Sequence, residues 1–181
     1  ATISSASTEG FSGLLAAAQD PSRILDGLDG NEVNSEDVIM IDLNGKPAVG
    51  YYAREQKALR FIRALDENGN SWSNPVSIPS SEVRSFALTL VDGRPAFCFT
   101  SPVGAPESLR YVRSNNASGS SWGSNTIITN NVTGMVSMAI VAGRPVIAYN
   151  NAVERGVNVI RSTDNVGSNW SGPTRVAEAS S

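Results

Sequence analysis

One stretch of the chain is written three times. The string "IDLNGKPAVGYYAREQKALRFIRALDENGNSWSNPVSI" recurs as "TLVDGRPAFCFTSPVGAPESLRYVRSNNASGSSWGSNTII" and again as "AIVAGRPVIAYNNAVERGVNVIRSTDNVGSNWSGPTRV". A period of this length means that one supersecondary unit is stacked on copies of itself. The units fall at about residues 38–82, 83–132 and 133–181, leaving residues 1–37 as an N-terminal extension.

The spacings separate fixed from variable segments. Arg63 to Trp72, Arg113 to Trp122 and Arg161 to Trp170 are each nine residues apart. Gly45 to Arg63 and Gly143 to Arg161 span 18, whereas Gly93 to Arg113 spans 20, so two extra residues fall within "TSPVGAPES". Loops absorb insertions and paired strands do not, so that segment is expected at the surface.

Within each unit the pattern predicts four short strands. The first ends at Asn44-Gly45, Asp92-Gly93 or Ala142-Gly143, and Asn-Gly and Asp-Gly are signals for a hairpin turn with two positive φ values. The second begins at Pro47, Pro95 or Pro145, where the missing N–H is tolerated. It alternates large residues (Val49, Tyr51; Phe97, Phe99; Ile147, Tyr149) with small ones (Ala48, Gly50; Ala96, Cys98; Val146, Ala148). A sheet that is large on one face and small on the other can bury both by stacking on its copies. The expected fold is therefore all-β: a propeller-like array of three four-stranded antiparallel blades. In the extension, Phe11, Leu14, Leu15 and Ala18 before Pro21 predict a short helix, and "PSRILDG" is a candidate orphan strand.

Composition narrows the chemistry. The 181 residues include 25 Ser and 16 Asn, which favour turns over long helices. There is no His, so no Ser-His-Asp constellation and no His-ligated zinc site can form. The single Cys has no intrachain partner, and a net charge of -3 offers no basic field for nucleic acid. No run of about 18 apolar residues exists, so no membrane helix is expected. Neither cofactor nor metal is expected.

The segment between Arg and Trp reads "ALDENGNSW", "SNNASGSSW" and "STDNVGSNW". It resembles the Asp-box turn of sialidase-like β-propellers, with one extra residue between Asp and Gly, Asn116 in the second copy, and Ala64 where Ser stands in the others. The resemblance implies a structural turn built from Asp66 and Gly69, Asn116 and Gly119, and Asp164 and Gly167. The residues agree: an Asx side chain caps local amides, Gly supplies positive φ and Trp covers the sheet edge. Trp72, Trp122 and Trp170 are alternatively sugar-stacking platforms, and Arg63, Arg113 and Arg161 are candidate anion ligands. The unique catalytic set of a sialidase is missing, so no enzymatic activity is expected.

These features predict a non-catalytic binding or assembly module, glycan-binding in the manner of a lectin. The alternative is a structural component of a larger surface assembly, a virion or an extracellular layer; localisation stays open, with an extracellular or virion surface favoured. Three blades leave two apolar faces open. The expected partner is a second copy that closes a six-bladed ring, or another protein on which the arc docks.

Overall fold

The computed structural model describes residues 38–102 and 107–178, all of whose regular structure is antiparallel β. The helix and orphan strand expected over residues 1–37 lie outside the described residues.

The first sheet is a meander of β1 (Val38–Asp42), β2 (Pro47–Ala53), β3 (Ala58–Arg63) and β4 (Val76–Ile78) in sequential order. The second has seven strands: β5 (Ser85–Val91), β6 (Arg94–Ser101), β7 (Glu107–Arg113), β8 (Thr126–Val141), β9 (Arg144–Asn151), β10 (Gly156–Arg161) and β11 (Thr174–Glu178). The turn signals fold as written: Asn44 and Gly45, Asp92 and Gly93, and Ala142 and Gly143 all have positive φ, between 48° and 79°. At these positions both central residues must be left-handed for the turn twist to match the strands.

The separate second and third meanders expected from the repeat are one sheet. The reason is β8, 16 residues long, which pairs with β7 from Thr126 to Val132 and with β9 from Val132 to Val141. Asn131 (φ 61°) and Gly134 (φ 71°) bend it, with a register shift between Thr133 and Val136. A bulge lets a strand turn sharply while its ladder continues on either side. Beyond the bend, the Val136 amide donates to Ser85 Oγ at 3.2 Å, so the strand crosses back over β5.

The segment "TSPVGAPES", expected at the surface, is paired at both of its ends. Thr100 and Ser101 end β6, Glu107 and Ser108 open β7, all four are buried, and Ser101 faces Ser108 in the ladder. Residues 103–106, between these ends, lie outside the described residues.

Repeats pack large face into small. Ala48, Leu59 and Phe61 of the first meander form one cluster with Phe86, Leu88, Phe97 and Phe99 of the second. Ala96, Cys98, Leu109 and Tyr111 then receive Val136, Ile147, Tyr149 and Ile160 of the third. Only glycine fits at residue 50, where a Cβ would stand 2.6 Å from the Phe97 ring. Burial pushes the Cys98 thiol up to about 12, so it carries no thiolate at neutral pH and is chemically inert there.

The two ends of the array differ. On the large face of the first meander, Val49, Tyr51 and Ile62 are buried. On the outer face of the third, Val146, Ala148, Val157 and Val159 are half-buried, while Val141 is 46% exposed. On the first meander's large face Val38 and Met40, opposite Tyr51 and Val49 in the ladder, are 38% and 62% exposed, so each end of the array leaves apolar side chains open.

Candidate functional site

The turn after each third strand is closed by a bridge between Ala64 and Trp72, Ser114 and Trp122, or Ser162 and Trp170. Its acceptor is one side chain at the base. Asp164 Oδ1 accepts the amides of Val166, Gly167 and Ser168 at 2.7–3.0 Å, and Oδ2 accepts that of Asn169 at 2.9 Å. Asp66 accepts the Asn68, Asn70 and Ser71 amides in the same way. Asn116, with one oxygen only, accepts the Ser120 amide and the Ser118 hydroxyl and donates its Nδ2 to Ser120 Oγ. Gly69, Gly119 and Gly167 have φ of 71°, 68° and 82°. Their carbonyls accept the indole N–H of Trp72, Trp122 and Trp170 at 2.9, 2.8 and 3.0 Å.

At Asp164, partial burial opposes ionisation, but the hydrogen bonds from Ser168, Val166, Asn169 and Gly167 outweigh it and hold the carboxyl at about 2. A carboxylate depressed in the folded state stabilises above its unfolded value, near 3.9, and that stabilisation disappears as pH falls through the folded value. Melting temperature should therefore drop between about pH 4 and pH 2 in the wild type. Asp164→Asn should start lower at neutral pH and lose less over this window. Parallel acid profiles for the two proteins would show that Asp164 contributes nothing to acid sensitivity.

The six ligand candidates occupy equivalent places, one pair per repeat, and do not converge on a single site. Trp122 packs between Phe61 and Phe97, with ring centroids 5.6 and 5.4 Å away, and Trp170 lies 5.3 Å from Tyr111. Trp72 is half-buried against Val49, Tyr51, Ala53 and Ile62. The arginines differ more. Arg113 donates Nε to the Val91 carbonyl at 2.8 Å and Nη2 to Asp92, reaching its carbonyl at 2.9 Å and its carboxylate at 3.2 Å. Arg161 Nη2 donates to the Val141 carbonyl at 2.9 Å. The Arg63 guanidinium has no partner among the described residues.

Arg63 lines a cavity of about 270 Å³ between the first and second repeats, together with Asn44, Lys46, Ala117 and Ser118. A second cavity, about 300 Å³, is lined by Thr133, Asn150, Asn151, Arg155 and Glu178 of the third repeat. The sequence marks Asn44 and Ser118 as turn residues and gives Lys46 no role; the hairpins of the first meander bring Asn44 and Lys46 to Arg63, and the packing of the second repeat on the first brings Ser118. Glu107 was also unmarked. Its carboxylate is buried, with Oε1 held by Arg84 Nε at 2.5 Å and Oε2 without a partner. No group of three or more metal-ligating side chains occurs among the described residues.

No protein-family model matches the chain, and no curated protein matches it. Among solved structures it is similar to an exo-β-1,3-galactanase from Phanerochaete chrysosporium, solved with galactose, at a TM-score of 0.56 and 8% identity. The alignment covers 76% of this chain and 35% of that one, so the chain spans about a third of the galactanase's length. The fold is propeller-like.

The likeness is to a galactanase and supports a propeller-like fold. It also overturns the expectation that the chain has no enzymatic activity, because the similar structure is itself a glycoside hydrolase. The absence of His removes only chemistries that need imidazole. Glycoside hydrolysis by paired carboxylates needs no imidazole.

Proposed function

We propose that the chain recognises carbohydrate through its propeller-like repeats. The observation that carries this reading is the likeness over 76% of the chain to a galactanase solved with galactose. The two cavities support it. Their linings offer amides, hydroxyls and charged groups, the polar chemistry that fixes a ligand's orientation in a small-molecule site. Of the three indoles, Trp72 is the one with no ring–ring pair among the described residues, and it is the stacking candidate. Arg63 is the arginine still open to a ligand.

A second reading, docking onto another protein, rests on the open apolar face of Val146, Ala148, Val157 and Val159. A glycan array probed with the whole chain tests the first reading, with β-1,3-galactans and acidic glycans included. Saturable, competable binding to a defined glycan supports it. An array with no hit overturns it and leaves the docking reading in place. Incubating the chain with β-1,3-galactan and assaying for new reducing ends reads hydrolysis in the same samples.

A further inference from the structure

The repeats carry an internal comparison at the Arg63 cavity. In the second repeat Arg113 meets a carboxylate, Asp92 of its own hairpin turn, with the pair 3.2 Å apart. In the first repeat the corresponding turn residue is Asn44, and the Arg63 guanidinium has no acceptor among the described residues. The neighbouring cations behave alike. Lys46 Nζ donates to the Leu65 carbonyl at 2.6 Å as Arg94 Nη1 does to the Asn115 carbonyl at 2.7 Å. One Lys46 hydrogen is used in this bond and two remain. The first repeat therefore presents two cations, Lys46 and the Arg63 guanidinium, where the second has Asp92 on Arg113. Beside them is a cavity walled on its far side by Ala117 and Ser118 of the next repeat.

We propose that this cavity binds an acidic sugar, with the ligand's carboxylate on Arg63 in the position that Asp92 takes on Arg113. The assignment rests on the carbohydrate reading above and names the class of sugar. A planar guanidinium matches a carboxylate with two parallel hydrogen bonds, and charge-assisted bonds of this kind are about twice as strong as neutral ones. Lys46 adds a second positive charge. Asn44 and Ser118 supply amide and hydroxyl groups for ring hydroxyls. A volume of about 270 Å³ suits a single sugar ring.

The test is calorimetric titration of the whole chain with galacturonate, galactose and acetate. Galacturonate should bind saturably and more tightly than either control. Asn44→Asp should weaken galacturonate binding about tenfold to a hundredfold by giving Arg63 an internal carboxylate. Asp is as well suited as Asn to this turn, and Asp92 occupies the same place in the next repeat. Arg63→Gln should produce a similar loss, and unchanged melting temperatures would show that both variants are folded. Galacturonate affinity unmoved by either variant overturns the assignment. Acetate binding as tight as galacturonate also overturns it, since the site would then recognise a bare anion. If galacturonate fails while a neutral glycan binds on the array, the acidic-sugar assignment falls and the carbohydrate reading stands. If nothing binds in either experiment, both fall.

Discussion

Replacing Gly119 with alanine should destabilise the protein by about 2 to 5 kcal/mol, the sum of left-handed strain and overpacking. Gly119 has a φ of 68°, and a Cβ there would run into the Phe61 ring of the preceding repeat. Gly167 is built alike: its φ is 82° and a Cβ would stand 2.5 Å from Tyr111. Each glycine seats an aromatic from the repeat before it, beneath the indole of its own turn. Gly93 separates the two effects, because its φ is 71° but nothing lies within 4 Å of where its Cβ would be. Gly93→Ala should cost only the backbone part, about 1 to 2 kcal/mol. Urea unfolding of the three variants measures the difference, and equal losses at residues 93 and 119 would refute the seating argument.

Phe97→Ala should cost about 3 to 5 kcal/mol, the range for deleting a fully buried aromatic. Phe97 is wholly buried, 5.9 Å from Phe86, 6.5 Å from Phe61 and 5.4 Å from Trp122, and its tip fills the space over Gly50. The contact with Gly50 gives a sharper result than the magnitude does. Gly50→Ala should destabilise the wild type by about 1 to 3 kcal/mol but have a much smaller effect once Phe97 is Ala, because the Cβ then has a cavity to enter. Losses that add without coupling would mean that the two residues do not press on one another.

The repeat spacing and the turn residues are readable in the sequence because they are local. Asn44-Gly45 and Asp92-Gly93 specify their own dihedral angles, and the alternation of β2, β6 and β9 shows which residues share a face. What partners those faces find is not local. Gly50 and Ala148 occupy equivalent positions, yet one lies under Phe97 and the other is half-buried on an outer face. The overpacking argument that holds for Gly50 therefore does not carry to Ala148. Arg63, Arg113 and Arg161 are likewise identical in spacing, yet among the described residues only Arg113 of the three meets a carboxylate, because the turn residue twenty or so positions away is Asp92 there and Asn44 or Ala142 in the other repeats. Glu107 sits in an inserted segment that reads as surface, and Arg84 takes it inside. In β8, Asn131 and Gly134 read as loop residues. They lie in a strand because both of its halves find partners.

That shared strand makes the two joints of the array mechanically unequal. The first and second repeats are held by interlocked side chains and a few cross-links, such as Asn125 Nδ2 on the Pro79 carbonyl at 2.7 Å. The second and third share a continuous hydrogen-bonded ladder. Stacked repeats otherwise behave as a row of units coupled to their nearest neighbours. Here the last two are welded into one block and the first is bolted on. Under load or heat the row should open at the bolt first, with the block coming apart as a whole.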